Sequence, residues 1–208
     1  MSMSPRFIPV VVAATLFLTG CGVESKNPLS TPGTSTIDTR LEGIYGQNRE
    51  KSSDELEGWH FHYRGAKAAA NGQPRVTPFL EVLHVVHAKE GGLRGDAYHA
   101  LTTHLGGHDY ISFAGIGPGG GKGQASSYGF ARYEVSWSGD LRVWLVSADA
   151  LARAIKAGKL HGTVKHHEWL SDDVYLTDST ERLAAFVAAS DPAVLFSGKP
   201  LVFHRLAR

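Results

Sequence analysis

The chain has 208 residues, with 21 Lys and Arg against 20 Asp and Glu, eleven His and one Cys. The even charge excludes the basic footprint that nucleic-acid binding requires, so no nucleic acid is expected among its partners. A single Cys excludes an intrachain disulfide, and the core must stand on apolar burial alone, for which this length suffices.

Residues 7–18 are almost wholly apolar, broken by Pro9 and Thr15, with Arg6 just before them. A basic residue, an apolar run and then small residues follow the order of a secretory signal. The run is about 12 residues long, whereas a bilayer span needs roughly 20. It closes on Leu18-Thr19-Gly20-Cys21, which resembles the lipobox of bacterial lipoproteins: an apolar residue, a small one, Gly or Ala, then Cys. The resemblance implies cleavage between Gly20 and Cys21, attachment of diacylglycerol to the Cys21 sulfur, and acylation of the new amino terminus. One acyl chain anchors marginally and two anchor stably, so the membrane would be held through lipidated Cys21. Gly22 stands after the Cys where Asp would favour the inner membrane; within that class this implies the periplasmic face of the outer membrane. Removing residues 1–20 leaves 188 of the 208 residues, with 20 basic against 20 acidic.

Residues 22–39 are rich in Ser, Thr, Pro, Gly and Asn without an apolar period. This predicts a flexible tether over 21–40 and a single β-rich domain over 41–208. From Leu41 to Ser147 the period is two. Trp59, Phe61 and Tyr63 alternate with His60, His62 and Arg64, and strands are predicted over 79–86, 98–105, 109–113, 128–137 and 141–146, with a tight turn at Ser138-Gly139-Asp140. The period then changes. A helix is predicted over 149–158, capped by Ser147 or Asp149 and stopped by Gly158. Short strands follow over 160–164 and 174–177. A second helix opens at the capping-box-like pair Asp178 and Glu181, with Leu183, Phe186 and Val187 as its apolar stripe. Strands over 194–196 and 201–206 close the chain. Strands of this spacing predict a sandwich or barrel.

The segment Asp38-Thr39-Arg40-Leu41-Glu42-Gly43-Ile44-Tyr45 resembles the opening strand of lipocalins and related calycin barrels, with Tyr45 where that family has Trp and one residue fewer between Asp38 and Arg40. The resemblance implies a lipocalin-like antiparallel β-barrel, here with two short helices in the C-terminal half. Arg132-Tyr133, residues 141–145, the Ala-rich helix, residues 160–164 and residues 176–180 are similar to a group of uncharacterised envelope lipoproteins, which implies no activity.

Three patterns bear on chemistry. Gly115, Gly117 and Gly120 have dinucleotide-loop spacing, but a strand rather than a helix is predicted to follow, so the stretch is expected to be a connection. His60 and His62 share one strand face and could occupy two positions on a zinc, with His84, His87, His99 or His104 as a third ligand. The competing expectation is that they point to water, opposite an inward Trp59, Phe61 and Tyr63. No Gly-x-Ser-x-Gly elbow is present. Asp172-Asp173 beside Ser171 is expected to form a turn, His166-His167 a loop, and Trp59, Trp137, Trp144 and Phe203 the core. The expectation is therefore a non-catalytic, lipid-anchored envelope protein without a cofactor, binding a small apolar ligand or an envelope partner. The alternative is a metal-binding protein or metal-dependent hydrolase using His60 and His62. A pH-responsive surface is a third possibility, since the histidines titrate between about pH 5 and 8.

Overall fold

The computed structural model describes residues 22–47, 57–63, 67–68, 74–75, 79–87, 92–115, 127–167 and 172–207. In chain order these form β1 (Val23–Ser25), a 3₁₀ turn (Thr39–Leu41), β2 (Gly43–Gly46), β3 (Glu57–Tyr63), β4 (Lys67–Ala68), β5 (Pro74–Arg75), β6 (Leu80–His87), β7 (Leu93–Leu105), β8 (His108–Gly115), β9 (Gly129–Val135) and β10 (Leu141–Leu145). Then come α1 (Ala148–Lys156), β11 (Gly162–Lys165), β12 (Asp173–Leu176), α2 (Thr180–Ala189), α3 (Pro192–Leu195) and β13 (Leu201–Ala207).

Strands β2, β3, β6, β7, β8, β9, β10 and β13 each pair antiparallel with the next, and β13 pairs back onto β2 to close an eight-stranded barrel. Closure removes every edge in that sheet. The fold is the mainly β, closed antiparallel barrel that the sequence predicts, with the two expected C-terminal-half helices, α1 and α2, followed by the single turn α3. Period-two alternation sends Trp59, Phe61 and Tyr63 inward and leaves His60 and His62 exposed. Inward residues from all eight strands meet in one cluster that includes Tyr45, Leu80, Ile111, Ala131, Leu141 and Phe203.

A second cluster lies on the outside of the wall. Tyr110 and Phe130 point away from the barrel interior yet are 1% and 3% exposed. They are covered by Val23, Leu29, Val146, Leu151, Leu183 and Phe196 from the amino-terminal segment and the helices. Strand β8 is therefore buried on both faces at Tyr110-Ile111-Ser112.

The stretch expected to be a tether is part of this outer layer. Strand β1 pairs in parallel with β12, Ser25 bridges to Tyr128, and Leu29 donates its backbone N–H to Ser112 Oγ at 2.9 Å. Two apolar residues, Val23 and Leu29, suffice to seat it because the polar ones are satisfied locally: Asn27 Nδ2 donates to the Asp178 carbonyl at 2.8 Å. Sparse apolar content concealed a segment that adds to a wall instead of building its own core.

Two smaller corrections follow the caps. Residues 194–196, expected as a strand, belong largely to α3, where Asp191 caps and Pro192 occupies the first turn. Ser179, not Asp178, caps α2, and Ser147 caps α1. Among the described residues, no helix is long and apolar enough to cross a membrane.

Candidate functional site: the barrel interior

The described residues seal one end of the barrel; the connections at the opposite end, residues 48–56, 88–91 and 116–126, lie outside them. The sealed end is built by the 3₁₀ turn, whose N-cap is Asp38. Asp38 accepts from Arg40 Nε at 2.8 Å, from Arg40 Nη2 at 2.7 Å and from the Tyr133 hydroxyl at 2.8 Å. Arg40 also donates to Asp109 Oδ2 at 2.7 Å, and His104 Nδ1 lies 2.7 Å from Asp109 Oδ1. Beneath them, Tyr63 Oη accepts from the Asp38 N–H and meets Thr102 Oγ1 at 2.9 Å, and Thr102 donates to the Thr36 carbonyl. Arg205 stacks over the Tyr45 ring and donates to its hydroxyl at 2.6 Å.

These contacts shift proton affinities. Burial alone would raise the Asp38 carboxyl, but hydrogen bonds from Arg40 and Tyr133 outweigh it and hold Asp38 below the usual range. Burial first, then the bond to Asp38, pushes the Tyr133 phenol far up. The resemblance-bearing residues Asp38, Arg40 and Tyr45 thus meet at one end of the barrel, joined by Arg205, which no local pattern singled out.

Above this seal lies a cavity of about 70 Å³. Its wall is almost entirely apolar and includes Leu41, Trp59, Phe61, Ile111, Ala131 and Phe203, with Tyr98, Phe113 and Leu145 toward the end opposite the seal. Burial pushes the Tyr98 phenol up to about 12, and the nearby Asp96 charge adds to it. The space equals about two water-sized volumes, each roughly 30 Å³ in the liquid, and is about half the 150 Å³ that holds benzene in an apolar site. Most of the interior is side chain. A larger hollow of about 430 Å³ lies between α1, α2 and α3, but it is a broad surface depression rimmed by Arg153, Lys159 and Asp191.

Strand alternation also sets a polar arc at the end opposite the seal. Glu57 lies on the Trp59 face of β3, His84 on the Val82 face of β6, and Asp96 on the Tyr98 face of β7. His84 is 5% exposed, stacks on Trp59 at 4.0 Å and 16°, and meets Glu57 Oε1 at 2.9 Å. Of these, the sequence singled out His84 alone, as a possible third zinc ligand beside His60 and His62. Counting by twos from Trp59 would have found Glu57, and from Leu80 and Val82 would have turned His84 inward, away from that pair.

His60 and His62 lie on the outer wall with their rings stacked at 6.0 Å, and His62 Nδ1 is 3.7 Å from Glu42. His84 is inside the barrel, His99 lies 3.9 Å from Glu81, and His104 is held by Asp109. Among the described residues, no three His, Cys, Asp or Glu side chains gather as a metal site. The His87 side chain, Arg64, Cys21, Gly20, Ser171 and the Gly-rich stretch beyond Gly115 lie outside the described residues. His166 and His167 pair with Asp172 and Asp173 at 2.8 and 2.7 Å. Trp59 and Phe203 are core, while Trp144 is half-buried under Arg132. Trp137, expected in the core, is fully exposed on the β9–β10 turn.

Comparison of the chain with family models, curated proteins and solved structures finds no match.

Proposed function

We propose that this chain is a lipid-anchored protein of the cell envelope whose barrel receives a small apolar group. The observation that carries the binding half is the apolar, partly open cavity above a sealed barrel end. An apolar wall without hydrogen-bonding groups gives water nothing to bond to, so displacing water from it by an apolar group is favourable. At about 70 Å³ the cavity takes a methyl-sized or short branched tip, with the rest of the ligand toward the end opposite the seal. The address rests on Leu18-Thr19-Gly20-Cys21 and Gly22, which support acylation of Cys21 and the periplasmic face of the outer membrane.

Filling the cavity tests the binding half. Ala131 lines it and is 0% exposed. In Ala131→Leu, uptake of a short apolar probe such as pentanol, followed by titration calorimetry, is expected to vanish while the circular dichroism stays that of the parent. Retained uptake would place the ligand elsewhere. Cell fractionation tests the address: the parent is expected to sediment with membranes and Cys21→Ala to move to the soluble fraction.

A second reading, an envelope protein as partner, is favoured by Trp137. It is fully exposed on a turn fixed by Ser136 N–H to the Asp140 carbonyl and by Arg205 to the Gly139 carbonyl. Exposed Trp is the residue type most often found as an interface anchor. Loss of a cross-linked species in Trp137→Ala cells, with the barrel's thermal stability unchanged, would support it.

A further inference from the structure

We propose that the anchor holds the small outer sheet, β1-β12-β11, directly against the bilayer. The tip formed by Gly22, Lys165, His166, His167, Asp172 and Asp173 is then a contact surface for phospholipid headgroups. This rests on the reading of Cys21 as the lipid-bearing residue.

The chain is held from the first residue after that Cys. The Val174 N–H donates to the Gly22 carbonyl, and β1 begins at Val23, which pairs with Val174. Val23 and Ser25 are 4% and 0% exposed. Ser25 exchanges both backbone hydrogen bonds with Tyr128 at 2.8 Å, and the Lys26 N–H reaches the Leu176 carbonyl at 2.8 Å. Gly22 is seated so closely that a Cβ there would lie 2.5 Å from the Asp172 carbonyl oxygen and 2.9 Å from Asp173 Oδ1. Only the Cys21–Gly22 peptide separates the acylated residue from the sheet.

Lengths decide what this means at the membrane. Consecutive Cα atoms are about 3.8 Å apart. As a random coil, residues 22–39 would reach about 23 Å. The headgroup layer is about 5–8 Å deep on each side of the hydrocarbon. Diacylglycerol seated in a bilayer puts the Cys21 sulfur at the inner boundary of that layer, and one peptide does not carry Gly22 clear of it. Whatever borders Gly22 shares its depth.

The border is polar. His166 Nδ1 lies 2.8 Å from Asp172 Oδ2 and His167 Nε2 2.7 Å from Asp173 Oδ2, which ties the end of β11 to the start of β12. Lys165 is exposed and pairs in register with Asp173. The connection between the two strands, residues 168–171, lies outside the described residues. Burying such groups in hydrocarbon is costly, whereas the headgroup layer supplies phosphate oxygens, ammonium groups and water as partners. The tip therefore rests among headgroups without entering the acyl layer. Paired strands brace it, so the barrel keeps one orientation to the membrane instead of swinging on a leash.

The test uses the acylated protein. Its only Cys carries the lipid, so Lys165→Cys or Glu24→Cys, both at exposed positions, gives one free thiol for a fluorescent label. Each labelled protein is reconstituted in phosphatidylcholine vesicles containing a headgroup nitroxide lipid. It is compared with a variant in which a Gly/Ser segment as long as residues 22–39 is inserted between Cys21 and Gly22. Quenching at both positions is expected to fall at least about twofold on insertion, because an added reach of about 23 Å exceeds the depth of the headgroup layer. Flotation with the vesicles should be the same with and without the insertion. Should one label disturb folding, as read by circular dichroism, the other position decides. Equal quenching with and without the insertion, in protein that floats, would show that the anchor does not hold the sheet to the bilayer and would overturn the proposal while leaving the anchor standing. A parent that is not acylated and does not float would overturn the anchor, and the contact surface with it.

Discussion

Asp38 ties the sealed end together, and its chemistry decides how the barrel answers acid. Its side chain is 12% exposed and spends its oxygens on Arg40 and Tyr133. A carboxyl whose folded pKa lies below its unfolded value contributes stability above the unfolded pKa, roughly 3.9 for Asp. That stability is lost as pH falls through the folded value. Asp38→Asn is therefore expected to cost about 1–3 kcal/mol at pH 7, the range for leaving buried partners unsatisfied. The difference from the parent should shrink as the pH is lowered from about 5, as read by urea unfolding at several pH values. An equal loss at pH 7 and pH 3 would assign the effect to packing and not to charge. At this scale the sequence was partly readable. Asp38, Arg40 and Tyr45 stood out by resemblance, because they are close in the chain. Arg205 did not, and Tyr133 stood out without pointing to this place, since both reach it only through closure of the barrel.

Most strands were legible because their inner and outer faces face different solvents, and alternation records that difference. Strand β7 shows where alternation fades: it begins at Leu93, but Arg94, Gly95 and Asp96 carry it beyond the core at the end opposite the seal, and the predicted strand began only at Tyr98. The outer layer was least legible. Its residues bury against a wall supplied by distant strands, so a polar composition was enough. Leu29, 2% exposed, makes the point testable. If the segment were a loose tether, Leu29→Ala would be neutral. Packed as it is against the outer cluster, the change is expected to cost about 2–5 kcal/mol in thermal or urea unfolding. Gly106 joins the same layer to the β7–β8 hairpin. Its φ is 56°, and a Cβ there would meet the Ala188 carbonyl at 2.8 Å, so only Gly serves both the turn and the approach of α2.

The molecule holds two clusters that share one wall. The inner cluster is closed by β13, which bridges β10 and β2, and the outer one by β1, which pairs with β12 some 150 residues later. Ending the chain after Pro200 is expected to abolish cooperative unfolding and give a self-associating species by size-exclusion chromatography, since β10 and β2 would then present bare edges. A truncated monomer with a sharp melt would show that β13 is dispensable. The same bridge sets the order of assembly. Seven strands can pair by neighbouring hairpins and crossovers, but the ring exists only once Leu201–Ala207 lies between β10 and β2, so the longest-range contact of the barrel is also the one that completes it.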